Sequence, residues 1–368
     1  MADVHAARRE RLRERCGALA ADAVLVTRPA NVRYLTGVEP DGAALLLTRD
    51  RAVLALPEDS PRDPDQQFPP PDEIQRLEVP PGTDPAAAAA AAAARYRAGT
   101  LGVEEHDLTV ARHRLVTGAA VPARVIDLDR AVEQLRLVKD EDEITALRIS
   151  AEIADQALGE LLESILVGRT ERHLAMELER RMVDHGADRA AFPVSIGTGT
   201  HAGIAGHRPT DRRVEEGDFL TVALGARYRG YGASAARTFV IGTAPAQWQI
   251  DLHAVVFAAQ RAGREALQPG TLCQEADRAV REVLQAAGHT EATPRPVGHG
   301  TGLEIAEEPR LGPGDMGKLE ARVPVTVGPG VHLPGRGGVR IEDTLVVRPL
   351  GEGGPELLTI TTKELLAL

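Results

Sequence analysis

A histidine between two glycines, a carboxylate spaced one residue from a guanidinium, and a histidine in a turn carry the chemistry this chain can offer. His299 lies in Gly298-His299-Gly300, where absent side chains let a ligand approach the imidazole closely. Glu342 follows Arg340 in GVRIEDTLVV (Gly338–Val347), and alternation along a strand puts both on one face. There Arg340 can clamp a substrate carboxylate with two parallel hydrogen bonds, or pair with Glu342 and neutralise it internally. His207, in AGHRPTDR, offers an imidazole whose pKa near neutrality suits proton transfer, or one that simply hydrogen-bonds a loop. Arg237 has the same two readings as Arg340. His332 and Tyr231 complete the substrate-facing set. Cys16 and Cys273 are too few for a disulfide framework or a metal cluster.

Two kinds of element must position these groups. The first part of the chain alternates short apolar bursts, AVLVT (Ala23–Thr27), GAALLLT (Gly42–Thr48) and RAVLALP (Arg51–Pro57), with turn residues, which predicts strands. SPRDPDQQFPPPDE (Ser60–Glu73) cannot join a ladder and reads as an exposed loop. Asp84 and Pro85 cap the alanine run Ala86–Ala94 as a surface helix. From Lys139 the texture changes. Ile144, Leu147, Leu158, Leu161, Leu162 and Ile165 fall at helical spacing, and Gly168-Arg169-Thr170 separates this helix from a second over 171–185. Helices over about 250–267 and from there to Gly288 repeat the pattern around Pro269-Gly270-Thr271. Thr170 and Gly197 stand the same interval apart as Thr271 and Gly298, and each glycine opens a G-x-G-T. The second part therefore reads as an internal duplication.

Length and charge narrow the class. At 368 residues two domains are expected, residues 1–136 and 137–368. A net charge of −11 argues against nucleic acid or an anionic membrane as partner. The N-terminus lacks an apolar signal core and no run of about 20 apolar residues occurs, so a cytoplasmic protein is expected.

The ordered set GTGTHAGIAGHRPTDRRVEEGD, GHGTGLE and GVRIED resembles the pita-bread fold family of creatinase, aminopeptidase P and prolidase. NVRYLTG (Asn31–Gly37) is similar to a strand-edge signature in the N-terminal domain of the creatinase and aminopeptidase P branch. The resemblance implies an α+β architecture, with a creatinase-type α/β domain followed by a pita-bread domain of pseudo-twofold duplication. It also implies a homodimer.

Peptidases of that family hold two divalent metals with two Asp, one His and two Glu. Carried over residue by residue, the resemblance places these ligands at Ala223, Ser234, His299, Gly328 and Glu342, and a further family histidine at Ala306. Two of five ligands are kept. Two dications about 3.5–4 Å apart repel by roughly 20 kcal/mol at an effective dielectric near 20, which one carboxylate and one imidazole cannot offset. The expectation is therefore no metal and no cofactor, and an enlarged, less charged cavity. The resulting reading is a metal-independent hydrolase or lyase acting on a C–N bond of a small amino-acid-like or short-peptide-like substrate. His207 serves as acid or base, assisted by His299 and Glu342. Creatinase itself, a metal-free member, has an acidic residue where this chain has Ala236. The alternatives are an inactive pseudo-peptidase with a binding or regulatory role, and a conventional metal-dependent Xaa-Pro aminopeptidase or dipeptidase.

Overall fold

The computed structural model describes residues 2–39, 41–59, 73–164, 166–289 and 296–368. The Pro- and Asp-rich stretch expected as a loop, up to residue 72, and Ile165 lie outside the described residues. The chain divides into two compact units, Met1–Arg136 and Leu137–Leu368.

In the first unit, six strands form one sheet in the order β4-β3-β2-β1-β5-β6. They are β1 (Ala23–Val26), β2 (Ala44–Thr48), β3 (Ala52–Pro57), β4 (Gln75–Val79), β5 (Thr100–Val103) and β6 (Arg124–Asp127). Helices α1 (Ala2–Ala18), α2 (Pro29–Thr36), α3 (Pro85–Arg95), α4 (Val110–Ala120) and α5 (Ala131–Arg136) accompany them. The alanine run is helix α3, with Asp84 accepting from the Ala86 amide at 2.7 Å as cap. It is not a surface helix. Ala86, Ala89, Ala90 and Ala93 are fully buried with Leu25, Leu46 and Val53 of the sheet, because methyl side chains let helix and sheet approach closely. The segment compared to a strand-edge signature is also different from expectation: Asn31–Thr36 lies in α2, which ends on Gly37 at φ +81°. Asn31 is buried there and donates to Glu104 at 2.6 Å.

The second unit opens on α6 (Glu141–Leu162), started by a capping box in which Asp140 and Glu143 bond each other's backbone amides at 2.9 Å. α7 (Glu171–Asp184) follows, capped by Thr170. Then come β7 (Arg189–Ala190), β8 (Ser195–Thr198) and the long hairpin of β9 (Phe219–Tyr228) and β10 (Tyr231–Val240). The pattern repeats with α8 (Gln247–Glu265) and α9 (Cys273–Ala286). After them run β11 (Gly298–Gly300), β12 (Glu307–Leu311), β13 (Pro324–Val327), β14 (Gly330–Leu333), β15 (Gly337–Arg340), β16 (Asp343–Val346) and β17 (Glu356–Leu357). The duplication extends to matching backbone bridges: Thr170 pairs with Arg213 and Leu272 with Lys318, each fastening the start of a second helix.

Two sheets meet at the middle of this unit. β9 lies between β10 and β8, with Ala223 opposite both Ala236 and Ser195. Ala236 in turn bridges Glu342, each amide donating to the other's carbonyl at 3.1 and 3.0 Å. This junction brings the small residues of the hairpin against the strand that carries the acid. Among the described residues no helix is long and apolar enough to cross a membrane.

Candidate functional site

Glu342 is the centre of the first group of polar residues. It is 5% exposed, accepts from Ser234 Oγ at 2.7 Å and from an Arg340 NH2 at 2.5 Å. Burial alone would raise its pKa. The charge of Arg340 outweighs that, helped by His299 and by the Ser234 hydrogen bond, so the carboxyl sits below its ordinary value. Arg340 and Glu342 thus form the ion pair that alternation predicts, with the Arg340 side chain 38% exposed and able to face a ligand.

His299 directs Nδ1 at the Gly300 carbonyl, 3.0 Å away. That nitrogen must carry the proton, so in the neutral ring Nε2 holds the lone pair. His332 directs Nδ1 at the Ala202 carbonyl at 3.1 Å, and burial lowers its pKa despite that bond, with the Arg340 charge adding to the effect.

Two residues expected to face substrate are engaged within the unit. Arg237 is 1% exposed. Its Nε donates to Thr361 O, one NH1 to Ala236 O and Glu342 O, and NH2 to Asp343 at 2.8 Å, so its guanidinium is taken up inside the unit. Tyr231 packs beside Ile144 and Leu147 of α6 and its hydroxyl donates to Glu143 at 3.0 Å.

The positions that the resemblance assigns to a metal pair do not fit one. Ala223 offers a methyl group and Ser234 a hydroxyl already spent on Glu342. At Gly328 any side chain would have to displace Glu342. A Cβ built there would lie 2.3 Å from Glu342 Oε2 and 2.8 Å from its Cγ. The enlarged cavity expected from the loss of ligands is therefore not found at Gly328, because Glu342 stands in that volume. Ala306 is exposed between β11 and β12. One carboxylate balanced by Arg340, with one imidazole, leaves the repulsion of two dications uncompensated.

A second group lies around Glu171, the first residue of α7. Glu171 is fully buried. Its Oε1 accepts from His201 Nδ1 at 3.0 Å, the Thr198 amide at 2.9 Å and Thr198 Oγ1 at 3.1 Å. Its Oε2 accepts from His207 Nε2 at 2.9 Å, the Thr210 amide at 2.9 Å and Thr210 Oγ1 at 2.7 Å. Burial would raise this carboxyl, but the hydrogen bond from His207 and those from Thr198 and Thr210 overcome it, and the pKa falls to about 2. The two imidazoles lie against each other with centroids 4.5 Å apart and planes tilted by 41°, and the ligand atoms of Glu171, His201 and His207 all lie within 4.8 Å of one another.

Of these three, sequence reasoning singled out His207. Glu171 and His201 were missed because nothing local links them. The bridge from Thr170 to Arg213 folds the His207 loop back onto the start of α7, and a tight turn over Gly199–Gly203, with Gly199 at φ +51°, presents His201. The two histidines six apart after a G-x-G-T were the one available signal.

Comparison with known proteins decides the kinship. Residues 145–349 match metallopeptidase family M24, and residues 8–138 match the creatinase/prolidase N-terminal domain. The chain belongs to metallopeptidase family M24. It is 32% identical to the Xaa-Pro dipeptidase of Pyrococcus furiosus over 94% of this chain and 95% of that one. It is 31% identical to an uncharacterized peptidase of Bacillus subtilis, covering 98% and 99%. The solved structure of an Xaa-Pro dipeptidase from Bacillus anthracis superposes with a TM-score of 0.90 at 30% identity, covering 99% of this chain and all of that one. The α+β fold, with a creatinase-type N-terminal domain and a duplicated pita-bread domain, follows from this membership.

The comparisons overturn the metal-independent hydrolase or lyase. The family is a metallopeptidase family, and full-length relatives bear the name Xaa-Pro dipeptidase. These comparisons favour the conventional dipeptidase over the pseudo-peptidase alternative as well. The five family positions account for only part of the metal-capable groups of this chain, and the cluster at Glu171 lies outside them.

Proposed function

We propose that this M24 member is a metal-dependent dipeptidase of the Xaa-Pro kind, a hydrolase that opens the amide bond before proline in short peptides. The observation that carries this reading is end-to-end likeness to proteins of that name, with both units matched and 30% or more of residues identical. The acidic chain fits a small peptide substrate rather than a polyanion. A homodimer belongs to the same reading.

In this reading Arg340 holds the carboxylate of the dipeptide. It is the partly exposed cation of the Glu342 group, and its pair with Glu342 uses one of its nitrogens. Glu342 fixes the guanidinium plane. His299 turns Nε2 away from its own carbonyl partner and offers a lone pair to a substrate N–H, while His332 lines the same face. No step is routed through a metal pair at Ala223, Ser234 and Gly328, because those residues supply no charge to hold one.

Incubation with a panel of Xaa-Pro dipeptides and matched non-proline dipeptides tests the proposal. Proline release that a chelator abolishes and an added divalent cation restores is the expected result. Absence of release with zinc, manganese or cobalt, or a rate indifferent to the chelator, overturns it.

A further inference from the structure

We infer that Glu171, His201 and His207 form a site for one divalent transition cation of the zinc class, separate from the position where the family resemblance puts a metal pair. Two imidazoles and a carboxylate are a donor set that zinc favours, and three protein ligands leave one tetrahedral position open. The geometry is close to what is required. Zinc bonds of about 2.0–2.2 Å at the tetrahedral angle separate ligand atoms by roughly 3.3–3.6 Å. Here the imidazole nitrogens stand 3.0 and 2.9 Å from the two carboxylate oxygens. Each imidazole faces a different carboxylate oxygen and all three ligand atoms lie within 4.8 Å of one another, so the side chains adjust to converge on one cation.

The surroundings are those of a supported ligand set. Each carboxylate oxygen is held by a backbone amide and a hydroxyl, from Thr198 on one side and Thr210 on the other, so the carboxylate keeps its orientation when the imidazole protons leave. A neutral imidazole gives up its bond to Glu171 by moving its proton to the other ring nitrogen, His201 Nε2 or His207 Nδ1, and the freed lone pair takes the cation. The neighbouring cation, Arg212, is neutralised by Asp218 at 2.6 Å. The His201 side chain is 29% exposed and that of His207 10%, which gives the open position a path to solvent, while Glu171 is wholly buried. Two strands, β9 and β10, separate the cluster from the Glu342 group: Ser195 donates to the His207 carbonyl at 2.8 Å and pairs with Ala223, whose other neighbour Ala236 bridges Glu342. That the bound cation serves hydrolysis rests on the dipeptidase reading above. The binding itself does not.

The test is zinc titration of the chelator-stripped full chain by calorimetry, with cobalt absorption as a second readout. Expected are one zinc per chain, visible bands of four-coordinate cobalt, and affinity at least tenfold weaker in His201→Ala and in His207→Ala. His299→Ala leaves it unchanged. His201 is the more exposed ligand, so its variant keeps the test open should His207→Ala fail to fold. The inference is overturned if the stripped wild type takes up no zinc, if His201→Ala binds as tightly as wild type, or if His299→Ala abolishes uptake instead. Zinc binding without proline release upholds the site and sinks the dipeptidase reading. Proline release with unaltered zinc affinity in His201→Ala does the reverse.

Discussion

Glu342 occupies the volume in which a side chain at Gly328 would begin, its Oε2 2.3 Å from the Cβ that any other residue would place there. The two positions are exclusive in this arrangement. Gly328→Ala pushes the buried carboxylate off Arg340 and Ser234, and a loss of about 1–3 kcal/mol follows. For a unit of this size that is a melting temperature lower by several degrees. In a Glu342→Ala background the same substitution costs little, so a double-mutant cycle by thermal melting isolates the contact.

Ser234→Asp puts a carboxylate at a position the resemblance assigns to a ligand, in place of the hydroxyl that donates to Glu342 at 2.7 Å. Two buried carboxylates with one arginine between them repel, and the variant loses on the order of 2 kcal/mol. Added zinc or manganese does not return that stability, since Ala223 and Gly328 still contribute no ligand. Melting with and without metal measures both effects.

Arg237→Met leaves Asp343, fully buried, without its guanidinium partner at 2.8 Å. Lys363 remains on the other oxygen at 2.7 Å and limits the damage. Breaking a buried pair by removing one member costs about 3–5 kcal/mol, and the lower part of that range is expected here. Because the Arg237 guanidinium is taken up by Asp343 and backbone carbonyls, the folded fraction keeps its KM, whereas Arg340→Met raises KM for dipeptides and also lowers the melting temperature by leaving buried Glu342 without its cation.

Glu356 is one source of pH dependence outside the two clusters. Burial would raise its pKa, yet hydrogen bonds from Arg148 and Arg348 and their charges bring it below the ordinary carboxylate value of 4.5. A carboxyl depressed in the folded state stabilises above that ordinary value, and the contribution disappears as pH falls through the lower, folded-state pKa. The pairs are partly exposed, so Glu356→Gln costs only about 0.5 kcal/mol at neutral pH. The melting curves of wild type and variant converge in acid. A gap that persists there contradicts the assignment.

Much of the frame is legible in the sequence because it is local. Asp84 announces the helix it caps, Gly168-Arg169-Thr170 the break before α7, and the recurrence of Gly197 and Gly298 the duplication. The alternation of Arg340 and Glu342 gives their pairing. What the sequence hides is long-range. Glu171 meets His201 and His207 across 30 and 36 residues through a loop fold that has no signature of its own. The filling of Gly328 by Glu342 and the burial of Arg237 depend on two sheets meeting at Ala236. The five family positions are legible one by one, but the neighbours that make His207 part of a metal-capable group are not.

A crystal of the full chain soaked in zinc, with anomalous differences collected at the zinc edge, tests the central claim most directly. The account predicts one peak per chain about 2.0–2.2 Å from His201 Nδ1, His207 Nε2 and a Glu171 oxygen. A pair of peaks between Ser234, His299 and Glu342, or no peak beside Glu171 at saturating zinc, contradicts it.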